Sequence, residues 1–396
     1  MSLAINVELL PREVEEARVT SWEFIRACRD VNMAFRLTLL DKPTPYALCF
    51  GVFGLHLLKE RGYLAEERDA VAEKLRMTIR AERRMRDHRP TDKPYRQLLA
   101  FILSALAILD ALVNDPLEEL ICEQIPEDVG RELRTLGCLE GSPQSGNQAM
   151  FIAVFLLHAR DVLGLDSEGA LHQWVELHLK SMNRFGFWGP SSSMSHIQFQ
   201  NGYHQYEVLE YLNAEVPLWN AAADHVASLA DDDGHFAPYP GGGSCYDYDA
   251  VFLITGAGEA SVQRHRELLV RTAKSILTEQ NADGGFCESH LIRPRSFLNL
   301  MRTWRHVWAA QGKARVERFR QGLTLMRPCH DRIHTHWSNY SRKWSESNLW
   351  DSWFRMLTLA RIEVATEPSA VDHWGFIDYP GIGYHHLLRR KLKGGA

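Results

Sequence analysis

The sequence of 396 residues lacks the short motifs by which many enzyme classes are recognised. It contains no Walker A loop, no GxGxxG, no GxSxG and no HExxH, so nucleotide-dependent and serine-hydrolase chemistry have no support. It has no CxxC pair either, and its seven cysteines are odd in number and widely scattered. Free thiols in a reducing cytosol are the simple interpretation, and we expect a cytoplasmic protein.

Long apolar runs and an excess of basic residues are also missing. No window reaches the roughly 18 uninterrupted apolar residues expected of a transmembrane helix, and the N-terminus lacks the basic and apolar regions of a signal peptide. The net charge is −5, and the basic clusters at 80–86 and 389–393 are typical of a solvated helix face and a frayed end. We therefore expect no transmembrane segment and no nucleic-acid partner.

A short phrase that pairs a glycine with an aromatic residue does recur. Its three copies centre on Gly186, Gly234 and Gly284, which are 48 and 50 residues apart. A fixed period of about 50 residues is typical of repeat architectures. Glycine permits the positive φ that a helix C-cap or tight turn requires, so the phrase predicts a turn between two helices in each repeat.

The spacing of apolar residues predicts helices throughout and almost no strands. Patterns with a period of 3.6 run through residues 46–58, 97–113, 150–163, 219–229, 267–277 and 354–362. Residues 47–55 and 149–157 are apolar all round, which is typical of helices buried on every side, whereas 60–86 carries many charges on one face. The pattern therefore predicts that each repeat consists of an outer amphipathic helix, a turn and an inner apolar helix. The inner helices are expected to begin near Pro45, Tyr95, Asn147, Asn201, Tyr246, Ser296 and Asn348.

Six or seven helical hairpins of this kind predict an all-α fold, an α/α toroid with an inner and an outer layer of helices. We expect residues 1–396 to form one domain, with 365–396 as a C-terminal cap or tail. The aromatic, glycine-rich stretch at 374–386 is either a structural plug or a lid that contacts substrate. The loops before the inner helices should open onto one central cavity.

The repeat phrase resembles that of the terpene-cyclase and protein-prenyltransferase α/α toroids. The likeness rests on residues 281–286 and 232–238 and covers about 170–310. It implies an isoprenoid or other apolar substrate inside the ring. The Asp247-Tyr248-Asp249 segment is similar in position to the Asp-x-Asp-Asp motif of the cyclases, which implies that Asp249 is the general acid and that Asp247 tunes it. Ala250 replaces the last aspartate of that motif.

The prenyltransferase zinc site has only a partial counterpart. Cys245 and Tyr246 are similar to part of it, but Gly243 stands where the family has an aspartate ligand. We therefore predict no cofactor. If zinc is bound instead, its ligands are expected from the set Cys245, Asp247, His204, His290 and His334.

The starts of the inner helices share a polar pattern that is independent of any resemblance. Asn201 precedes His204 by three positions, as Asn348 precedes Asp351 and Tyr246 precedes Asp249, so each pair lies on one helix face. Such groups at the mouth of an apolar ring fit a ligand pocket. The alternative is that these residues are N-caps and first-turn acids. The predicted substrate-binding residues are Asn147, Gln148, Asn201, Tyr203, Glu207, Tyr246, Tyr248, Trp344, Asn348 and Asp351.

His204 and Glu207 form an H-x-x-E pair on one helix face, which suits a base with an orienting carboxylate, two metal ligands or a surface pair. The predicted catalytic residues are thus Asp249, Asp247 and His204. Aromatic residues crowd the same rim, where they would stabilise a carbocation, stack on sugars or simply pack.

Three functions remain open at this point, each with a small-molecule or peptide partner. The first is a cyclase or transferase that acts on an apolar substrate by acid/base chemistry. The second is a carbohydrate-active toroid, a lyase or hydrolase, with His204 or Tyr203 as acid/base and tryptophans as sugar platforms. The third is a non-catalytic scaffold that binds lipid or peptide.

Overall fold

A computed structural model describes residues 11–85, 92–190 and 195–386. Within these ranges the chain is almost entirely helical. The α-helices are α1 (Pro11–Ala27), α2 (Pro45–Leu57), α3 (Arg68–Met85), α4 (Lys93–Ile108), α5 (Glu118–Cys122), α6 (Val129–Thr135), α7 (Ser145–Asp161), α8 (Glu168–Lys180), α9 (His196–Tyr211), α10 (Trp219–Ala227), α11 (Ser244–Gly256), α12 (Glu259–Arg264), α13 (Arg266–Thr278), α14 (Phe297–Ala309), α15 (Gly312–Leu325) and α16 (Leu349–Thr366).

The remaining regular elements are short. Two antiparallel pairs of two-residue strands join β1 (Arg29–Asp30) to β2 (Ala34–Phe35) and β3 (Arg332–Ile333) to β4 (Arg342–Lys343). Three 3-10 helices span Arg61–Glu67, Pro328–His330 and Pro368–His373. None of the helices in the described ranges is both long and apolar enough to cross a membrane.

Six inner helices close into a ring, which confirms the predicted all-α toroid. In order around the ring they are α2, α4, α7, α9, α11 and α16, and α16 packs back against α2. Nearly every residue of these helices is buried. Helices α2 and α7 are apolar on almost all sides, and a helix of that kind is stable only when it is surrounded, whereas α9 also buries polar side chains such as His204 and Glu207. Neighbouring inner helices meet start to start, so their N-terminal ends form one mouth.

The outer layer consists of amphipathic helices, each packed on the ring by one apolar stripe. Helix α3 is representative, because Val71, Leu75 and Ile79 face inward at helical spacing while its charged residues other than the buried Arg76 lie toward solvent. Helices α1, α8, α10 and α13 lie against the ring in the same way.

The recurring glycine phrase forms the turn that leads from an outer helix toward the next inner one. Gly186, Gly234 and Gly284 all adopt positive φ, at 79°, 89° and 83°. Each lies so close to a neighbouring outer segment that a Cβ atom would meet it within 3.0 Å. The neighbours are Leu218 before α10, Thr272 on α13 and Thr20 on α1. The last of these contacts joins the final repeat to the N-terminal helix and so closes the outer layer.

The prediction that a seventh inner helix begins near Ser296 was wrong. Helix α14 does begin there, but it forms a hairpin with α15 that lies outside the ring and buries only His306 and Val307 of α14. The fourth inner helix also begins earlier than predicted. It was expected to start near Asn201, but α9 starts at His196, directly after its N-cap Ser195. The ring therefore has six hairpins.

The stretch 368–386 closes the end of the ring opposite the mouth. The Gly375 amide donates to the Leu57 carbonyl at the end of α2 at a distance of 2.9 Å, and Tyr379 lies 2.9 Å from His158 on α7. This position corresponds to the plug rather than to a lid over the mouth. The predicted tail at 389–393 lies outside the described residues, and the assignment of 1–396 to one domain stays a prediction.

Candidate functional site

The mouth of the ring is lined by polar side chains from successive inner helices. Asn147 Nδ2 on α7 lies 2.6 Å from His204 Nε2 on α9, and Arg96 on α4 donates to Gln148 on α7 at 3.1 Å. Helix α11 meets α16 in the same manner, because the Ser244 hydroxyl donates to Asp351 at 2.5 Å. These contacts bring Asn147 beside His204, although His204 lies two turns into α9 rather than at its start, and the roles predicted for Asn147, Gln148 and His204 stay predictions.

Aromatic rings fill the side of the mouth formed by α2, α4 and α16. Trp350 has its ring centroid 4.7 Å from that of Trp337 and 4.9 Å from that of Phe50. Trp337 comes from the segment between β3 and β4 and stays half-exposed above this cluster. Most of the aromatic residues of the rim therefore pack against each other. Trp337 and Tyr246 stay half-exposed, next to the polar side chains of the mouth.

Two buried carboxyl groups lie within the ring without a counter-ion of their own. Asp249 on α11 keeps 2% of its surface exposed, and among the described residues it has no hydrogen bond or ion pair. Burial, reinforced by the negative charges of Glu207 and Asp247, raises the pKa of Asp249 well above its usual value. Burial also raises the pKa of Glu207 to about 8, although the Tyr203 hydroxyl and Arg361 act in the opposite direction.

Hydroxyl groups surround these carboxyls and also lack regular partners. The Tyr203 and Tyr248 hydroxyls and both Glu207 oxygens are buried without a hydrogen bond of regular geometry to any described residue. The two tyrosine rings pack edge to face with centroids 5.7 Å apart. Buried polar groups are nearly always paired, so a cluster of unpaired ones indicates a functional site.

His204 completes this group as a neutral imidazole. Burial, aided by the positive charge of Lys93, lowers the pKa of His204 to about 3. One ring nitrogen faces Asn147, and the other, Nδ1, has no hydrogen-bond partner among the described residues. The ring therefore stays uncharged at neutral pH and has the protonation state of a base.

Asp247 belongs to a buried ion network instead. It accepts hydrogen bonds from His235 Nδ1 at 2.8 Å and from Arg355, and Arg355 also lies 3.3 Å from Glu279. Burial alone would raise the pKa of Asp247, but His235 and Arg355 lower it below its usual value. Asp247 is still close enough to contribute to the raised pKa of Asp249, so its tuning role stays a prediction.

Other predicted site residues have structural contacts. Asn348 is the N-cap of α16 and accepts from the Asp351 amide at 3.0 Å. Asn201 accepts from the Gly146 amide at 2.8 Å and so joins α9 to α7. Trp344 packs against Tyr239 in a separate small cluster away from the ring centre. The capping alternative thus describes Asn348, while the binding roles of these residues stay predictions.

A further carboxyl, the partly buried Glu288, was missed. The Tyr239 hydroxyl donates to Glu288 at 2.5 Å, and Arg342 lies 3.5 Å from both Glu288 and Asp351. Burial, followed by the negative charge of Asp351, raises the pKa of Glu288 to about 7. Its position in the sequence could have indicated it, because Glu288 comes directly after the repeat turn at Phe286, and the loops that lead to the mouth also come after repeat turns.

The alternative zinc ligands are not assembled into a site. Among residues 11–85, 92–190 and 195–386, no group of three or more His, Cys, Asp or Glu side chains is arranged to hold a metal ion. That includes the set Cys245, Asp247, His204, His290 and His334. All seven cysteines lie in these ranges and none forms a disulfide.

Comparison with known proteins returns glycosidases. No family model matches the chain, and no curated protein matches it. Two solved structures are similar, a glycosidase variant in complex with glucose and a second glycosidase variant. Each is 11% identical, each alignment covers 90% of this chain and 100% of the other, and the TM-scores are 0.42 and 0.43. The predicted terpene-cyclase or prenyltransferase resemblance was therefore wrong, and likeness at this level assigns no substrate to the chain.

Proposed function

We propose that this chain is a carbohydrate-active enzyme that cleaves a glycosidic bond at the mouth of the ring. The observation that supports the proposal best is Asp249, a buried carboxyl with no partner among the described residues and with a raised pKa. A carboxyl in that state holds its proton to higher pH than a solvated carboxyl does, which favours the role of a general acid.

Glycoside hydrolysis uses two carboxyl groups with different protonation states. In the proposed reaction Asp249 donates its proton to the glycosidic oxygen as the bond from that oxygen to the anomeric carbon breaks. Glu288 has a pKa raised only to about 7, so it ionises more readily and is the proposed base that removes a proton from the attacking water. Tyr246 lies close enough to both groups to feel their charges. Burial is the main cause of its raised pKa, and the negative charges of Cys245, Glu288 and Asp249 add to it.

The groups around this pair suit a sugar better than a hydrocarbon. Asn147 and Gln148 offer amides at the mouth, and Gln97 on α4 lies 2.9 Å from His336 Nε2. Amides of this kind bind sugar hydroxyls, and the half-exposed rings of Trp337 and Tyr246 provide flat apolar faces.

The test is an assay for new reducing ends over a panel of oligosaccharides and aryl glycosides. Asp249→Asn keeps the size of the side chain but removes the proton donor, so kcat should fall by about 10²–10⁴-fold. The control is Asp378→Asn, an exposed carboxyl on the opposite end of the ring, which should leave kcat unchanged. Full activity in Asp249→Asn would refute the assignment. Ligand binding without turnover by the unaltered protein would support a scaffold instead.

A second candidate, a lyase acting on a uronate-containing glycan, is favoured by the unpartnered Nδ1 of His204 and by the Tyr203 hydroxyl beside it, whose neighbour is Glu207. Neutral His204 would remove the proton beside the uronate carboxylate, whose charge Lys93 would offset. The C–H electron pair would form a double bond as the neighbouring glycosidic oxygen leaves with a proton from Tyr203. The product is an unsaturated sugar with ultraviolet absorbance, which hydrolysis does not produce. That absorbance, lost in Tyr203→Phe and kept in Asp249→Asn, would select the lyase.

A further inference from the structure

The α14–α15 hairpin exposes an unusual number of large apolar side chains. Phe297 is 77% exposed and Trp308 is 66% exposed. The complete set on the two helices is Phe297, Leu298, Leu300, Met301, Trp304, Trp308, Val316, Phe319 and Leu323. Single exposed apolar residues are ordinary, but a contiguous group marks an interaction surface.

These side chains form one continuous face across both helices. On α14, Phe297, Leu300, Trp304 and Trp308 follow helical spacing, and on α15 the exposed residues are three and four positions apart. The two rows touch where the Trp304 and Phe319 rings have centroids 5.9 Å apart. We refer to this surface as the hairpin face.

The rim of the hairpin face carries exposed basic side chains, although the whole chain has a net charge of −5. Residues 297–325 contain six Lys and Arg side chains and one acid, Glu317, and of the six Arg318 is buried and Arg305 is paired with Asp232. Glu317 is engaged elsewhere, because it accepts hydrogen bonds from Ser195 and the His196 amide at 2.6 and 2.7 Å. Arg302 and Arg320 remain exposed, so the charge presented to a partner is positive.

We propose that the hairpin face docks this protein on the surface of an anionic phospholipid bilayer. Exposed tryptophan, phenylalanine and leucine side chains enter the boundary between headgroups and acyl chains, while arginines contact lipid phosphates. Neither helix is long and apolar enough to cross the bilayer, so the hairpin lies in the plane of the interface. The inference is independent of the reaction proposed above.

The docked hairpin would hold the mouth of the ring beside the bilayer. Glu317 on α15 accepts from the His196 amide at the start of α9, the inner helix that carries His204. The other partner classes fit the hairpin face less well. A symmetric dimer would bring the same arginines of two copies together, and a nucleic acid offers no apolar layer for the exposed tryptophans.

Co-sedimentation of the full chain with vesicles tests this proposal. One set of vesicles is phosphatidylcholine alone, and the other contains added phosphatidylserine. The protein should sediment with the anionic vesicles and less with the neutral ones. Trp304→Ser/Trp308→Ser should weaken binding to both kinds by roughly tenfold or more, and Arg302→Glu/Arg320→Glu should abolish the preference for phosphatidylserine.

Matched controls remove exposed apolar and basic groups elsewhere. Met77→Ser/Val113→Ser and Arg131→Glu alter side chains outside the hairpin and should leave sedimentation unchanged. Circular dichroism checks that each variant is folded. A protein that stays in the supernatant with both vesicles, or controls that lose as much binding as the hairpin variants, would overturn the proposal. So would a lipid-free dimer, detected by light scattering, that the tryptophan substitutions dissociate.

Discussion

Glu207 shows at the scale of one residue how burial sets chemistry in this ring. Its carboxyl is enclosed by α9, the Tyr203 hydroxyl and the backbone of Gly383, and the nearest cation, Arg361, is paired with Glu210 at 3.1 Å. The charged form therefore lacks solvation, and the pKa is raised to about 8. The folded protein holds a proton there at pH 7 that the unfolded chain has released.

This proton makes stability depend on pH in a predictable direction. Between the usual pKa of 4.5 and the folded value of about 8, the folded state binds more protons than the unfolded state, so stability falls as pH rises. Glu207→Gln removes that dependence. In urea unfolding from pH 5 to 8, the free energy of unfolding of the variant should rise relative to that of the unaltered protein by up to about 1.4 kcal/mol per pH unit. Parallel profiles for the two proteins would contradict the raised pKa, and Glu215→Gln, on an exposed loop, should retain the original slope.

The repeat turn is the element that fixes the spacing of the two layers. In each copy the glycine amide donates to the carbonyl of the residue three positions earlier, at 2.9 to 3.0 Å. Those acceptors are the carbonyls of Asn183, Asp231 and Asn281, each an Asn or Asp three positions before the glycine. The aromatic residues that follow the glycines, Phe187, Phe236 and Phe286, are completely buried.

Gly284→Ala should destabilise the fold far more than an alanine at an open turn. The new Cβ would lie 2.1 Å from the Thr20 carbonyl oxygen of α1, in a backbone with φ of 83°. We expect a loss of about 2–4 kcal/mol in the free energy of unfolding. Gly258→Ala is the control, since φ is 98° there but no atom lies within 4 Å, and only about 1 kcal/mol is expected. Equal losses in urea unfolding would show that the α1 contact is unimportant.

The whole molecule is a ring with one open and one closed end. The segment 368–386 closes the end where the inner helices finish, and the polar mouth lies where they begin. The ion network of Asp247, Arg355 and Glu279 holds α11 and α16 together between these ends. Substrate access is therefore expected at the mouth only.

Tyr379→Phe tests this division between the two ends. It removes the hydroxyl that lies 2.9 Å from His158 Nδ1 and leaves that buried nitrogen unpaired. The melting temperature should fall, in line with a loss of about 1–2 kcal/mol. The activity of the folded variant should not change, because Tyr379 contacts His158 on α7 and not Asp249 or Glu288. A loss of activity at unchanged stability would assign 368–386 to substrate binding.

Much of the architecture was predictable from local patterns. Apolar surfaces on all sides of 47–55 and 149–157 require burial, and helices buried on every side need a second layer around them. The period of the glycine phrase indicated a repeat, and a side chain three positions into a helix shares the face of the first. Asn147 and His204 do lie 2.6 Å apart, but α9 begins at His196, so their contact does not follow from a shared position at helix starts.

The all-α class and the two layers of helices follow from the amino-acid pattern alone, because they rest on periods of a few residues repeated along the chain. Three features arise only when the ring closes: the helix after Ser296 leaves the ring, Asp247 pairs with Arg355, and Asp249 and Glu207 have no counter-ion of their own. These outcomes depend on groups separated by up to 108 positions, such as Asp247 and Arg355. Burial and the distance to an opposite charge set the state of each carboxyl, and both are properties of the closed ring.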